Sequence, residues 1–267
     1  MKQDDVLQDY QCFLKKHRIG SISEEVFNRF GNAIERSDSE QIKRIIDEFS
    51  ELKKFLHYRL AGGGALSWED YQSLPDEEMV RRQDLVGLSY GLFNPVEVEM
   101  AIMRLIVDVG TKVVNGSNVS TIVDVGCGIG HRLSFFASRE IRNSRCVGID
   151  LSDLELARAK EIAQGEEAQV LFLKGPALRL PFPDESVGWI WSIDVLPWIK
   201  DWRSALKEAG RILQPDGFIL LVYNYQEIRS SIGPNQAIRV LAESNIEART
   251  LESRGLNSEF ILGWKPK

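Results

Sequence analysis

The spacing of apolar residues changes along the chain. Up to about residue 60, apolar residues such as Val26, Phe27 and Phe30 recur at helical spacing, without the alternation of a half-buried strand. From Val119 onward, short apolar runs of strand length alternate with helical patterns. This alternation is typical of a mostly parallel β-sheet with helices on both faces. We therefore expect a helical front region followed by an α/β core.

The pattern predicts the elements of this core. Strands are expected at 119–125, 145–150, 169–173, 187–193 and 217–223, with closing strands at 246–253 and 258–265. Helices are expected at 129–140, 153–164, 202–213 and 234–244, after a long helix from Pro95 to about Val114. The closing strands are joined only by a tight link that contains Gly255, so they should pair antiparallel.

The same pattern predicts two domains, a helical region at 1–93 and a core at 94–267. Gly62-Gly63-Gly64 is a candidate hinge within the first of them. Tyr90 and Phe93 stand just before the long helix, where they could cover a ligand bound to the core. We expect the front region to act as a cap or lid over the pocket.

Composition narrows the classes of function. The chain has 267 residues, of which 43% are hydrophobic and 27% charged, as in ordinary globular proteins. The net charge is −6 and the isoelectric point is near 5.3. Proteins that bind nucleic acid usually carry a basic face, so a nucleic-acid partner is not expected. Nothing in the pattern predicts an oligomeric state.

The cysteines and the apolar runs indicate the compartment. The three cysteines share no CxxC spacing, which argues against a disulfide scaffold and against a zinc site, and we expect no metal. The polar start MKQDDVLQDYQ does not resemble a signal peptide, and the apolar runs are too short to span a membrane. We therefore expect a cytoplasmic protein.

The segment 121–130 carries the clearest chemical signal. An apolar strand ends in Asp124 and is followed by glycines at alternate positions, Gly126, Gly128 and Gly130, before a helix begins. Glycine allows the sharp turn and the close approach of a ligand to the backbone, and a side chain at Gly126 or Gly128 would occupy the ligand's place. The helix then presents free N–H groups to a polar or anionic ligand group.

A second acid supports a nucleoside ligand. The strand Cys146-Val147-Gly148-Ile149 ends in Asp150. This residue lies about twenty residues past the loop, a spacing at which a carboxylate binds the hydroxyls of an adenosine ribose. The two acids and the loop together favour a ligand that contains adenosine.

The order of these residues separates two classes of enzyme. Dinucleotide-binding proteins carry GxGxxG, whereas this chain carries GxGxG with an acid two residues before the first glycine. This form resembles the class I S-adenosylmethionine-dependent methyltransferases, and in particular methyltransferase type 11. The resemblance continues in the segments 178–187 (LRLPFPDESV), 192–199 (SIDVLPWI) and 205–218 (ALKEAGRILQPDGF). It implies a Rossmann-like seven-stranded sheet of order 3-2-1-4-5-7-6, with the last strand antiparallel.

The resemblance also implies the roles of individual residues. The loop around the methionine portion of the cofactor would contain Asp124, Gly126, Cys127, Gly128 and Gly130. The ribose would be bound by Asp150, and the adenine would meet Leu151, Ala177 and Leu178. The pocket mouth after the fourth strand would be lined by Ser192 and Asp194, and Tyr90 would lie over the cofactor.

Two departures from the family pattern stand out. Gly175-Pro176-Ala177 replaces the family's Gly-Asp-Ala, so the carboxylate that often binds the adenine amino group is missing. Pro197-Trp198 replaces a His-His or Glu-His pair, so a frequent general base is also missing. Adenine recognition must then rely on backbone groups and on stacking.

We expect methyl transfer from S-adenosylmethionine to a small molecule. The candidate catalytic residues are Asp194 as a base, with Trp198 and Tyr223 placed to contact substrate or cofactor. One alternative keeps the cofactor but attacks its aminobutyryl carbon, giving cyclisation or aminobutyryl transfer with methylthioadenosine as product. The other alternative is a non-catalytic protein that binds S-adenosylmethionine.

Overall fold

The computed structural model describes residues 3–17, 19, 96–116, 119–139, 144–223, 232–251 and 259–267, with scattered positions between 29 and 79. The chain forms two compact units, Met1–Asp108 and Val109–Lys267. The predicted lid residues Tyr90 and Phe93 and the candidate hinge at Gly62-Gly63-Gly64 lie outside the described residues. The predicted division at 93/94 and the lid itself stay predictions.

The first unit contains helix α1 (Gln3–Lys16) and the start of helix α2 (Val96–Gly116). The fully buried Tyr10 donates its phenol hydrogen bond to the buried carboxylate of Glu99 across 3.1 Å. This bond satisfies a carboxylate that would otherwise be costly to bury. None of the helices in the described ranges is both long and apolar enough to cross a membrane.

The second unit alternates strands and helices in the predicted order. Its elements are β1 (Thr121–Val125), α3 (His131–Arg139), β2 (Arg145–Asp150), α4 (Asp153–Gly165), β3 (Val170–Lys174), β4 (Val187–Ile193), a 3-10 turn (Leu196–Trp198), α5 (Trp202–Ile212), β5 (Leu213–Tyr223), α6 (Pro234–Ala242), β6 (Glu247–Leu251) and β7 (Glu259–Trp264). The strands join into one sheet of order β3-β2-β1-β4-β5-β7-β6. β7 pairs antiparallel with both β5 and β6, and the other pairs are parallel. The predicted fold class and strand order are confirmed.

The largest difference from the predicted bounds is at β5, which begins at Leu213 instead of residue 217. Val187 pairs with Leu213 and Trp189 with Phe218, so the register advances by two residues on β4 and by five on β5. Pro215 lies in this irregular stretch, where its missing N–H costs no ladder bond. The buried Lys265 supports the stretch by donating its ammonium to the Leu213 carbonyl at 3.0 Å. The apolar alternation starts only after the irregularity, which is why the sequence pattern missed it.

The two faces of the sheet pack against different helices. On one face, Trp189 and Trp191 stand at 84° with ring centroids 4.9 Å apart, and Phe136 of α3 meets both rings at 5.6 Å. A Cβ on Gly110 of α2 would lie only 2.8 Å from Trp189, so this helix also packs closely there. The tryptophans are therefore core residues. The other face forms a hydrophobic cluster with α5 and α6.

Candidate functional site

The glycine loop joins β1 to α3 along a left-handed path. Gly126, Gly128 and Gly130 have φ angles of 75°, 52° and 61°, which glycine adopts without the steric cost that other residues carry. The N–H groups of Gly126 and Cys127 donate to the Ile149 carbonyl at 2.7 and 3.0 Å. The loop is thus bonded to β2, at the carboxyl edge of the parallel strands where open α/β sheets bind ligands.

The three glycines are required for different reasons. A Cβ on Gly126 would lie 2.2 Å from the Val195 side chain, and one on Gly130 would lie 2.5 Å from Phe172. A Cβ on Gly128 would meet, among the described residues, only Glu155, with Oε1 at 3.4 Å. The expectation that a side chain at Gly126 would fill the ligand's place is wrong, because Val195 already fills that space. Of the three, Gly128 is the glycine at which an added Cβ would come no closer than 3.4 Å to any described side chain.

Asp150 is fixed at the end of β2 by two backbone donors. Its Oδ2 accepts from the Gly128 N–H at 2.9 Å, and its Oδ1 accepts from the Ser152 N–H at 3.0 Å. Ser152 is in turn the N-cap of α4 and accepts from the Glu155 N–H at 3.0 Å. The half-buried carboxylate therefore connects the glycine loop to the next helix in one fixed orientation.

Asp124 is a buried acid that lacks a full countercharge. Burial raises its pKa to about 7, Trp191 and Arg132 lower it again, and Asp150 adds a small upward effect. The Trp191 indole N–H nevertheless makes no hydrogen bond of ordinary geometry to the described residues. A buried carboxylate beside an unsatisfied donor fits a ligand with a cationic group and a polar oxygen.

A network on α5 holds the segment between β3 and β4. The Arg211 guanidinium donates to the carbonyls of Leu180 and Phe182 at 3.2 and 2.9 Å and to the Asp184 carboxylate at 2.6 Å. Glu208 accepts from the Leu180 N–H at 2.6 Å, and the Arg211 hydrogen bonds are the main reason that its pKa is lowered. These bonds fix the chain that follows Ala177 and Leu178, the predicted adenine positions. Ala177 is half-buried, and Leu178 is 45% exposed.

The connection after β4 carries the predicted mouth residues. Ser192 is buried near the end of the strand, and Asp194 follows with a left-handed φ of 60°. The Asp194 N–H donates to the Val222 carbonyl at 2.7 Å, which holds this uncommon conformation. Asp194 and Trp198 are both half-buried, and Trp198 ends the 3-10 turn. The structure therefore places both residues at the carboxyl edge of the sheet.

Tyr223, a predicted catalytic residue, lies in the core. It is fully buried in the hydrophobic cluster with α5 and α6, and burial raises the pKa of its phenol. Its hydroxyl has no hydrogen-bond partner among the described residues. The packing of the phenol among the side chains of α5 and α6 gives no support to a direct catalytic role, which stays a prediction.

Three other predicted positions have different outcomes. The Cys127 thiol packs against Phe172 and Gly148, so only the backbone of this residue can face a ligand. Leu151 is half-buried directly after Asp150, consistent with an adenine-packing position. Tyr90 lies outside the described residues.

Comparison with known proteins agrees with this geometry. The profile of a family described as "Methyltransferase domain" matches residues 123–221, from the glycine loop through β5. Tocopherol O-methyltransferase of Arabidopsis thaliana is 32% identical over 106 residues, which cover 39% of this chain and 30% of that protein. The chain contains a methyltransferase domain at residues 123–221. Proteins of this class use S-adenosylmethionine, so the predicted family and cofactor are confirmed.

Solved structures confirm the fold of the domain. The CurJ carbon methyltransferase superposes with a TM-score of 0.60 at 15% identity, covering 86% of this chain and 71% of that one. The [4+2]-cyclase SpnF gives 0.52 at 18% identity, covering 61% and 80%. The chain spans about a third of the length of the curated relatives that it matches first. The fold is thus shared by proteins whose names describe different reactions.

Sequence reasoning missed three contacts of this methyltransferase domain. Val195 fills the space beside Gly126, Glu155 borders Gly128, and Arg211 with Glu208 holds the segment before β4. The pattern Ser152-x-x-Glu155 is a helix-start signal that could have drawn attention to Glu155. No local signal marks Val195, because its partner lies far away in the sequence.

Arg211→Ala is expected to loosen the adenine side of the methyltransferase site. The free energy of unfolding should fall by about 1–3 kcal/mol, because several charge-assisted hydrogen bonds from a partly exposed side chain are lost. The dissociation constant for S-adenosylhomocysteine should rise severalfold, because Ala177 and Leu178 adjoin the released segment. Arg158→Ala removes an exposed ion pair with Glu161 on α4 and serves as the control. Denaturant unfolding and calorimetric titration measure both effects, and unchanged affinity in Arg211→Ala would separate the network from the site.

Proposed function

We propose that this chain transfers the methyl group of S-adenosylmethionine to a small-molecule acceptor. The observation that carries the proposal is the glycine loop with two acids beside it, Asp124 as the next-to-last residue of β1 and Asp150 as the last residue of β2. The match of residues 123–221 to a methyltransferase domain and the name of the plant relative both support it. The same proposal places the protein in the cytoplasm. It also holds that this acidic chain does not act on nucleic acid.

The residues present fit the parts of S-adenosylmethionine. Asp124 is a buried acid that a cationic ligand group would stabilise in its ionised form. Asp150 is held with both oxygens at the edge of the loop, where it can accept from the ribose hydroxyls. The adenine would lie against an apolar surface formed by Leu151, Ala177 and Leu178. Apolar contacts are needed here because Pro176 offers the adenine neither a carboxylate nor an N–H.

The chain's own contribution to catalysis is mainly to position the reactants. A bound S-adenosylmethionine supplies an activated methyl group, so the protein must orient the acceptor and exclude water. Asp194 is the proposed base for an acceptor that needs deprotonation, because it stands half-buried after β4 in a conformation that the fold maintains. Trp198 provides an aromatic surface in the same connection.

Product analysis tests the proposed reaction. The protein is incubated with methyl-labelled S-adenosylmethionine and a panel of phenols, amines and carbon acids, and the nucleoside products are separated by mass. S-adenosylhomocysteine together with a labelled acceptor supports methyl transfer. Methylthioadenosine would instead support attack on the aminobutyryl carbon. Binding without either product across the panel would favour the non-catalytic alternative.

Affinity for S-adenosylmethionine is expected to rise with pH. Because burial raises the pKa of Asp124 to about 7, this carboxyl is largely protonated at pH 6 and binds a cation poorly. The affinity should rise about five- to tenfold from pH 6 to 7.5, because the ionised fraction of Asp124 rises by that factor. This pH interval lies below the range in which the amino group of the cofactor loses its proton, so the change reports on Asp124. Titration calorimetry in several buffers measures the affinity and the released protons.

Asp124→Asn is the control for this pH dependence. The variant should bind weakly at every pH in the range, without the rise seen in the wild type. The same cause predicts the stability of the free protein, which should fall as the pH rises from about 4 to 7, because ionised Asp124 is disfavoured when buried. A flat affinity profile in the wild type would remove Asp124 from the binding site.

A further inference from the structure

We infer that Trp191 is a positioning residue of the cofactor site, whose indole N–H donates to the ionised carboxylate of Asp124. This inference deepens the proposed function, and it rests on that function wherever cofactor binding is the readout. The juxtaposition that carries it is a buried donor and a buried acid at paired positions of two adjacent strands.

Asp124 and Trp191 stand beside each other on β1 and β4. The register of these parallel strands aligns Ile122 with Trp189 and Asp124 with Trp191. Aligned residues of neighbouring strands project from the same face of a sheet, and the two backbones are about 5 Å apart. Asp124 is 4% exposed, and Trp191 has no exposed surface. The acid and the indole are therefore neighbours in a part of the core that water does not reach.

The indole N–H of Trp191 is a donor without an acceptor of ordinary geometry. It has no hydrogen-bond partner among the described residues, although the indole lies close enough to Asp124 to lower the pKa of that carboxyl. A buried N–H is costly to leave unpaired, and a carboxylate is a stronger acceptor than the neutral acid. Ionisation of Asp124, with a small rotation of its carboxyl, would give the N–H this stronger acceptor.

Other ionisable groups of the described residues also act on Asp124. Arg132 on α3 lowers the pKa of Asp124, and Asp150 on β2 raises it slightly. The Cys127 thiol lies nearby and stays neutral, because burial raises its pKa well above the ordinary value. Trp191 differs from these charged neighbours because its effect is a direct hydrogen bond, which salt does not screen.

The ionised form of Asp124 is the one that a cationic cofactor group requires. Burial opposes this form and raises the pKa of Asp124 to about 7, so the carboxyl is close to the balance between its two states near neutral pH. A donor that bonds only the carboxylate shifts this balance towards the ionised acid. Trp191 therefore prepares the carboxylate for the cofactor at a pH at which burial alone would keep it neutral.

Trp189 offers a matched comparison on the same strand. It is as buried as Trp191, its indole N–H also has no partner among the described residues, and Phe136 meets both rings at 5.6 Å. Its register partner is Ile122, whose side chain has no acceptor. Replacing either tryptophan by phenylalanine removes one buried N–H and a similar volume. Only Trp191→Phe removes a donor beside an acid.

The first test follows the indole N–H resonances of the free protein by heteronuclear NMR between about pH 5.5 and 8.5, the range that brackets the raised pKa of Asp124. The Trp191 resonance, assigned sequentially in the wild type, should move downfield as Asp124 ionises, because a hydrogen bond forms. The movement should disappear in Asp124→Asn, and the Trp189 resonance should stay in place. A Trp191 resonance that does not titrate in the wild type would overturn the inference, whether or not the protein binds a cofactor.

The second test measures the affinity for S-adenosylhomocysteine, which keeps the cationic amino group, by calorimetric titration. Loss of the donor should raise the pKa of Asp124 by about one unit, so Trp191→Phe should bind about fivefold more weakly than the wild type at about pH 7. At about pH 8.5 the two affinities should be nearly equal, because Asp124 is then largely ionised in both proteins.

Trp189→Phe is the control for lost packing, and any change in its affinity should be the same at both pH values. A Trp191→Phe variant whose affinity relative to the wild type is equally independent of pH would overturn the inference and assign the indole to packing alone. Failure of the wild type to bind S-adenosylhomocysteine at any pH would instead overturn the proposed function, and the NMR titration would still decide whether Trp191 bonds Asp124.

Discussion

Gly128→Val is expected to abolish binding of S-adenosylmethionine while leaving a folded domain. Gly128 has a φ of 52°, a conformation that costs a residue with a Cβ about 1–2 kcal/mol and a β-branched one more. The domain can tolerate this loss, because a Cβ at this position meets only the flexible end of Glu155 among the described residues. The ligand cannot, because the valine would occupy the space that the glycine leaves open. Calorimetric titration with S-adenosylhomocysteine, together with circular dichroism, measures both properties.

Gly233→Val provides the matched control for this change. Gly233 precedes α6 with an ordinary φ of −71°, and a Cβ there meets no described atom within 4 Å. This variant should bind normally and unfold near the wild-type temperature. If Gly128→Val also bound with undiminished affinity, the loop would be a structural turn and the ligand would have to lie elsewhere.

Asp150→Ala is expected to weaken cofactor binding about tenfold to a hundredfold. A hydrogen bond to a charged partner contributes roughly 1.5–3 kcal/mol, which corresponds to that change in affinity. The substitution also removes the acceptor of the Gly128 and Ser152 N–H groups, so the loop should lose order along with its ligand contact. Titration calorimetry gives the affinity, and thermal unfolding of the free protein gives the cost to the loop.

Two neighbouring variants separate these contributions. Asp153 is an exposed acid only three positions after Asp150, and it pairs with Lys174. Asp153→Ala should therefore leave the affinity for the cofactor unchanged. Asp150→Asn keeps the shape and one acceptor oxygen, so it should stabilise the loop better than alanine while still binding weakly. Equal affinities for the wild type and Asp150→Ala would exclude this carboxylate from the ribose site.

The sequence by itself determined the order and type of the core elements. Apolar alternation and glycine turns are local properties, so the ends of β1 at Val125 and of β2 at Asp150 could be placed to the residue. The order of the strands followed from the resemblance, and the antiparallel closing pair from the short link between its strands. The largest shift of a boundary, at β5, lies in an irregular stretch that Lys265 supports from more than fifty positions away.

Only the tertiary structure decided which predicted residues face the ligand. Alternation assigns Tyr223 to a face of its strand, but α5 and α6, whose residues lie on both sides of it in the sequence, cover that face and bury the phenol. Gly126 and Gly128 look alike in the sequence, and they differ because Val195 packs tightly against the first while the second has only the Glu155 side chain near it among the described residues. Contacts of this kind join residues that are distant along the chain, and they depend on packing that no local pattern records. The sequence therefore specified the cofactor loop and its acids, and the fold selected which of their neighbours can take part in binding.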